Sequence, residues 1–177
     1  MPSCETPDDV RTVLYDGIAK MGPKGFETLD CSGNSYSLEA AQYLAKFIRL
    51  FATDDLRSVD YSNMFVSRSI EEIPKSLEAL LSAINGKPVL SLGLHDNAIG
   101  VRVVKQGGID TFLQSNRSLK KLNLSNCGLS GEAMQMLFVE QLSNSGIKLT
   151  ELKISMNNFK SAGAIAMAEY LETNDDL

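Results

Sequence analysis

Leu119-Lys120-Lys121-Leu122-Asn123-Leu124-Ser125-Asn126-Cys127-Gly128-Leu129 decides the fold of this 177-residue chain. Leu122 and Leu124, two residues apart, fall on one face of a short strand. That face has to be covered, and the rest of the sequence shows by what. The pattern LxxLxLxxNxL, or a close variant, also opens at Phe26 (FETLDCSGNSY), Leu56 (LRSVDYSNMFV), Val89 (VLSLGLHDNAI) and Leu149 (LTELKISMNNF), with spacings of 30, 33, 30 and 30 residues along the chain. Recurrence at this period is the signature of leucine-rich repeats, each copy stacking on the next. The inward pairs of the other copies are Leu29 and Cys31, Val59 and Tyr61, Leu92 and Leu94, and Leu152 and Ile154.

Asn34, Asn97 and Asn157 hold the ninth place, where a carboxamide can bond backbone groups left unpaired as the strand bends away. Met64 and Cys127 interrupt this ladder. After each strand, apolar residues recur at three- and four-residue spacing, which predicts helices. They fall over Leu38 to Phe51, Pro74 to Ile84, roughly Val101 to Leu113, Gly131 to Leu142, and Ala162 to Leu171. Long repeats with a full helix belong to the ribonuclease-inhibitor-like class, an α/β solenoid with parallel strands on the concave face and helices on the convex one.

The expected organisation is a capping helix and half repeat over 1–25, then five repeats over 26–177. Thr6-Pro7-Asp8-Asp9 supplies an N-cap, a first-turn proline and dipole-favoured acids for a helix through about Lys20. Leu177 would open a sixth copy, so the C-terminal end reads as cut. It is expected either to continue in a longer chain or to be covered by another subunit, which makes self-association through that end a candidate.

The formal net charge of −5 offers no basic stripe to neutralise phosphates, so nucleic-acid partners are not expected. No apolar run approaches the length of a membrane span, and MPSCETPDDV lacks the pattern of a secretory leader. Three cysteines fit a cytoplasmic protein, and Cys31, inward on a strand, and Cys127, on the ladder, read as core residues.

A self-contained active site is missing from the pattern. There is one histidine, His95, no paired Cys-x-x-Cys, no Gly-rich phosphate loop and no nucleophile-base set. Asp30 and Asp60, followed in later copies by Gly93, Asn123 and Lys153, read as a solvated rung. His95 and Asp96 read as exposed turn residues past the third strand.

The second copy departs from its neighbours. It is three residues longer and continues Phe65-Val66-Ser67-Arg68-Ser69-Ile70-Glu71-Glu72-Ile73-Pro74. Pro74 suits a first helical turn, leaving Arg68 on an extended strand-to-helix loop at the solenoid rim. There it either offers a fixed cation to a phosphate or carboxylate, or pairs with Glu71 or Glu72.

With these residues in view, the chain resembles the Ran GTPase-activating proteins. SNMFVSRSIEEIPKSLEALLSAI looks like that family's second-repeat segment, with Phe65, Arg68 and Glu72-Ile73-Pro74 as features a repeat does not require. LHDNAIG and LNLSNCGL resemble the copies that follow. The resemblance implies a protein that accelerates GTP hydrolysis by the small GTPase Ran in its GTP form. It places Arg68 and Asn126 at the catalytic positions, Asn126 helping to set the GTPase's own glutamine without an arginine finger from the activator. Phe65, Ser69, His95, Asp96 and Asn97 would lie in the partner-binding surface. No cofactor is implied for this chain, since the nucleotide and magnesium belong to the GTPase, and the site of action would be the cytoplasm, including the cytoplasmic face of the nuclear envelope. The alternative is a non-catalytic leucine-rich repeat scaffold that binds another protein.

Overall fold

A computed structural model describes residues 3–20 and 25–177. Five three-residue strands, β2 (Thr28–Asp30), β4 (Ser58–Asp60), β5 (Ser91–Gly93), β6 (Lys121–Asn123) and β7 (Glu151–Lys153), form one parallel sheet in chain order. The central residues are in register, Leu29, Val59, Leu92, Leu122 and Leu152 pairing in turn. Parallel neighbours need a crossover between them, and every crossover carries a helix. These are α2 (Leu38–Phe51), α3 (Glu72–Ala83), the pair α4 (Val101–Gln106) and α5 (Ile109–Ser115), and α6 (Gly131–Met134) with its extensions. Helix α8 (Lys160–Leu171) follows β7, and α1 (Pro7–Lys20) lies at the other end. The molecule is the leucine-rich repeat solenoid expected from the period.

Local chemistry sets the helix bounds. Ser37 caps α2, its Oγ accepting from the Ala40 amide at 3.1 Å, and α2 buries Ala40, Ala41, Leu44, Ala45 and Ile48 at helical spacing. Pro74 sits in the first turn of α3, whose Glu72 amide donates to the Ser69 Oγ at 3.2 Å. The stretch expected as one helix over Val101 to Leu113 is two, because Gly107 and Gly108 break it. A Cβ on Gly107 would lie 2.6 Å from the Val103 carbonyl oxygen, and Gly108 has φ +73°, where side chains are disfavoured. The next helix turns from α to π geometry over Gln135–Leu142 before ending in α7 (Ser143–Ser145).

Strand and helix side chains meet in one continuous core. Leu29, Val59, Leu92 and Leu122 are buried with Cys31, Tyr61, Leu94 and Leu124, whereas Leu152 and Ile154 in β7 are half-buried. Burial pushes the Cys31 thiol far up and the Cys127 thiol to about 12, so both serve as packing groups. The ladder ties each repeat to the one before. Asn97 donates to Leu94 and Tyr61 carbonyls at 2.9 and 2.7 Å and accepts from the Met64 amide at 2.9 Å. Asn157 does the same toward Leu124, Ile154 and the Cys127 amide, and Cys127 itself keeps the backward link, its Sγ donating to the Leu94 carbonyl at 3.2 Å. Asn34 donates within its own turn, to Ser32 O at 3.2 Å.

Residues Ser3–Cys4 form a strand, β1, parallel to β3 (Ser35–Tyr36), which brings the N-terminal segment alongside the first repeat.

Candidate functional site

The eighth residue of every copy is left-handed: Gly33 (φ 73°), Asn63 (54°), Asp96 (58°), Asn126 (53°) and Met156 (58°). Asparagine and aspartate tolerate this region because their short polar side chains bond locally. The backbone repeats too. The Asn63, Asp96 and Asn126 amides donate to His95, Ser125 and Ser155 carbonyls of the following copy at 3.0, 3.0 and 2.9 Å. Side chains of successive repeats are thereby set side by side at the strand ends.

Asp96 and Asn126 are exposed neighbours in that row. The Asn126 Nδ2 donates to Asp96 Oδ1 at 2.7 Å, and His95 Nδ1 lies 2.7 Å from Asp96 Oδ2. Those two bonds, the Asn126 one foremost, hold the Asp96 carboxyl below the usual carboxylate range. With its amino group committed, Asn126 keeps Oδ1 without a hydrogen-bond partner among the described residues. His95 also borders a shallow hollow on the open sheet face, with Asp60, Gly93, Lys121, Asn123, Glu151 and Lys153.

Arg68 is tied inward rather than held out. Its Nη1 and Nη2 grip both Glu5 carboxylate oxygens at 2.8 and 2.7 Å, Nη2 also reaches Ser3 Oγ at 2.9 Å, and Nε donates to Ser35 Oγ at 2.9 Å. A further bond runs from Nη2 to the Ser35 carbonyl at 3.1 Å. Only 11% of the Arg68 side chain is exposed against 55% for Glu5. This fork, with a hydroxyl from Ser3, draws the Glu5 carboxyl down to about 2.

The sequence-derived set therefore divides. His95, Asp96 and Asn126 come together at the surface. Phe65 and Asn97 are 5% and 4% exposed and face the core, Phe65 as a member of the hydrophobic cluster and Asn97 because its carboxamide serves the ladder. Ser69 caps α3. Arg68 pairs with neither nearby glutamate: Glu71 meets Arg102 at 3.2 Å, and Glu72 accepts the Leu38 amide at 2.6 Å. Its real partners, Ser3, Glu5 and Ser35, stand 33 to 65 residues away, and β1 gives no periodic signal that could have announced them. Among the described residues there is no group of His, Cys, Asp and Glu that could hold a metal, and no helix is long and apolar enough to cross a membrane.

A family described as Leucine Rich repeat matches residues 115–138 and 147–168. A Ran GTPase-activating protein of Drosophila melanogaster is 31% identical over 97% of this chain and 30% of its own length. Ran GTPase-activating protein 1 of Saccharomyces cerevisiae is 27% identical over 97% of the chain and 43% of its own, and that of Xenopus laevis 30% identical over 82% and 27%. The chain spans less than half the length of each of these relatives. The chain has the leucine-rich repeat fold and is similar, along nearly all of its length, to Ran GTPase-activating proteins.

Proposed function

We propose that this chain accelerates GTP hydrolysis by the small GTPase Ran, presenting its rim row to the GTP-bound partner in the cytoplasm. The observation that carries this is the exposed Asn126 carboxamide, fixed by its bond to Asp96, in a chain whose relatives bear that activity in their names. Phosphoryl transfer asks a protein for positioning and charge stabilisation, not covalent chemistry. A carbonyl oxygen held in place can accept from the side-chain amide of the GTPase's glutamine and set it to orient the attacking water. Arg68, engaged by Glu5, supports the second-repeat loop. The nucleotide and its magnesium are the partner's, and with a net charge of −5 no nucleic-acid partner is expected.

Single-turnover GTP hydrolysis by Ran, with and without this chain, tests the reading. Acceleration is expected, and none at saturating chain would end it. In Asn126→Ala the acceleration should fall on the order of 10²-fold, the scale of losing one positioned polar group. Toward the C-terminal end Met156, Ile165, Leu171 and Leu177 are exposed apolar residues, and self-association through that end is expected. Sedimentation at rising concentration should show a dimer, and a monomer throughout would count against it.

A further inference from the structure

We propose that the hollow around Arg68 is a receptor for a carboxylate side chain of a partner protein, occupied in the free chain by the chain's own Glu5. The hollow is lined by Ser3, Glu5, Ser35, Val66, Ser67 and Arg68. Two halves of the Arg68 environment differ in permanence. Ser35 holds Nε and Nη2 through its hydroxyl and its carbonyl, and Ser35 is buried in β3, its own Oγ donating to the Val66 carbonyl at 2.6 Å. Glu5 is the exposed member of the pair. Its backbone is anchored separately, since the Ser37 Oγ donates to the Glu5 carbonyl at 2.6 Å and the Ser37 amide to the Cys4 carbonyl at 2.9 Å. The Glu5 side chain can therefore swing into water while β1 stays paired and Arg68 stays aimed.

What remains after that swing is a preorganised fork, Nη1 and Nη2, with the Ser3 hydroxyl beside it. This geometry is matched to a planar carboxylate in a bidentate pair. Arg68 is the single basic side chain lining the hollow, so its one charge balances a carboxylate and falls short of a phosphate dianion. Val66 and Ile70, 43% and 59% exposed on the same loop, suit an acidic residue carried beside an apolar one. Exchanging one carboxylate for another costs little reorganisation of the receptor, which is how an internal stand-in keeps a buried arginine from standing unpaired.

The experiment follows the Arg68 Nε–Hε resonance of the full chain by NMR, assigned with Arg68→Lys, while acetate is titrated in. Glu5→Gln should respond saturably, with an apparent affinity about fivefold or more above the wild type, the scale of one solvent-exposed ion pair. Equal responses in the two chains, or none in Glu5→Gln, overturns the proposal. Inorganic phosphate acting at lower concentration than acetate overturns its choice of ligand. Because acetate reads the site alone, this outcome is independent of the proposed activity toward Ran. If that activity holds, adding the GTP-bound GTPase should shift the same resonance and bind Glu5→Gln more tightly, and a resonance unmoved in the complex also overturns the exchange.

Discussion

Asn126 is a small residue with two obligations, one to its backbone and one to its neighbour. Its left-handed φ is inexpensive for asparagine, while its amide answers Asp96. Asp96→Ala should therefore lower GTPase activation nearly as far as Asn126→Ala while lowering the melting temperature by only about 2 to 4 °C, the cost of alanine at a left-handed φ, as single-turnover hydrolysis and calorimetry would show. Met156 holds the same backbone place at φ 58° without a local hydrogen-bonding side chain and is 79% exposed. Met156→Asn is expected to stabilise the chain by about 1 kcal/mol in denaturant titrations. For Glu5 the carboxyl sits near 2 in the folded chain against an ordinary value of 4.5, so its stabilising effect is complete above about 4.5 and lost as pH falls toward 2. The stability difference between wild type and Glu5→Gln, followed by chemical denaturation against pH, should shrink through that window.

The elements show where periodicity was informative and where it was silent. Strands β2 and β4 to β7 were legible because every copy places two apolar residues two apart, and a buried face admits no other register. The helices were legible as faces but not as single rods. Gly107 and Gly108 stand inside an apolar pattern that runs through them, and only the φ of Gly108 and the crowding at Gly107 reveal the break. The ladder explains its exceptions: Cys127 keeps the backward bond with sulfur, and Met64 is served through its amide by Asn97. Asn97→Ala would strand the Met64 amide and the Tyr61 carbonyl in the core. A loss of about 3 kcal/mol is expected, measurable by urea unfolding. Gly108→Ala, with the new methyl 3.2 Å from the Glu78 backbone, should cost about 1 to 2 kcal/mol in the same assay. Of the site, the surface trio could be placed from the repeat alone, but the Glu5 clamp could not, since sequence pattern carries no record of a contact 63 residues away.

Across the molecule, each copy is finished by the next. Tyr61 and Met64 wait for Asn97, Leu94 waits for Cys127, Leu124 waits for Asn157, and the Arg68 clamp joins the second repeat to the first few residues of the chain. A ribosome releases these partners in order, at about 5 to 20 residues per second. Any newly emerged repeat thus spends on the order of seconds with open carbonyls and amides until its successor clears the exit tunnel, and the N-terminal strand stays unlatched until Arg68 is out. The nascent chain is at its most vulnerable to proteases and to wrong pairings at its growing end, and a pause in translation just after one copy would prolong that exposure more than a pause just after its successor's asparagine.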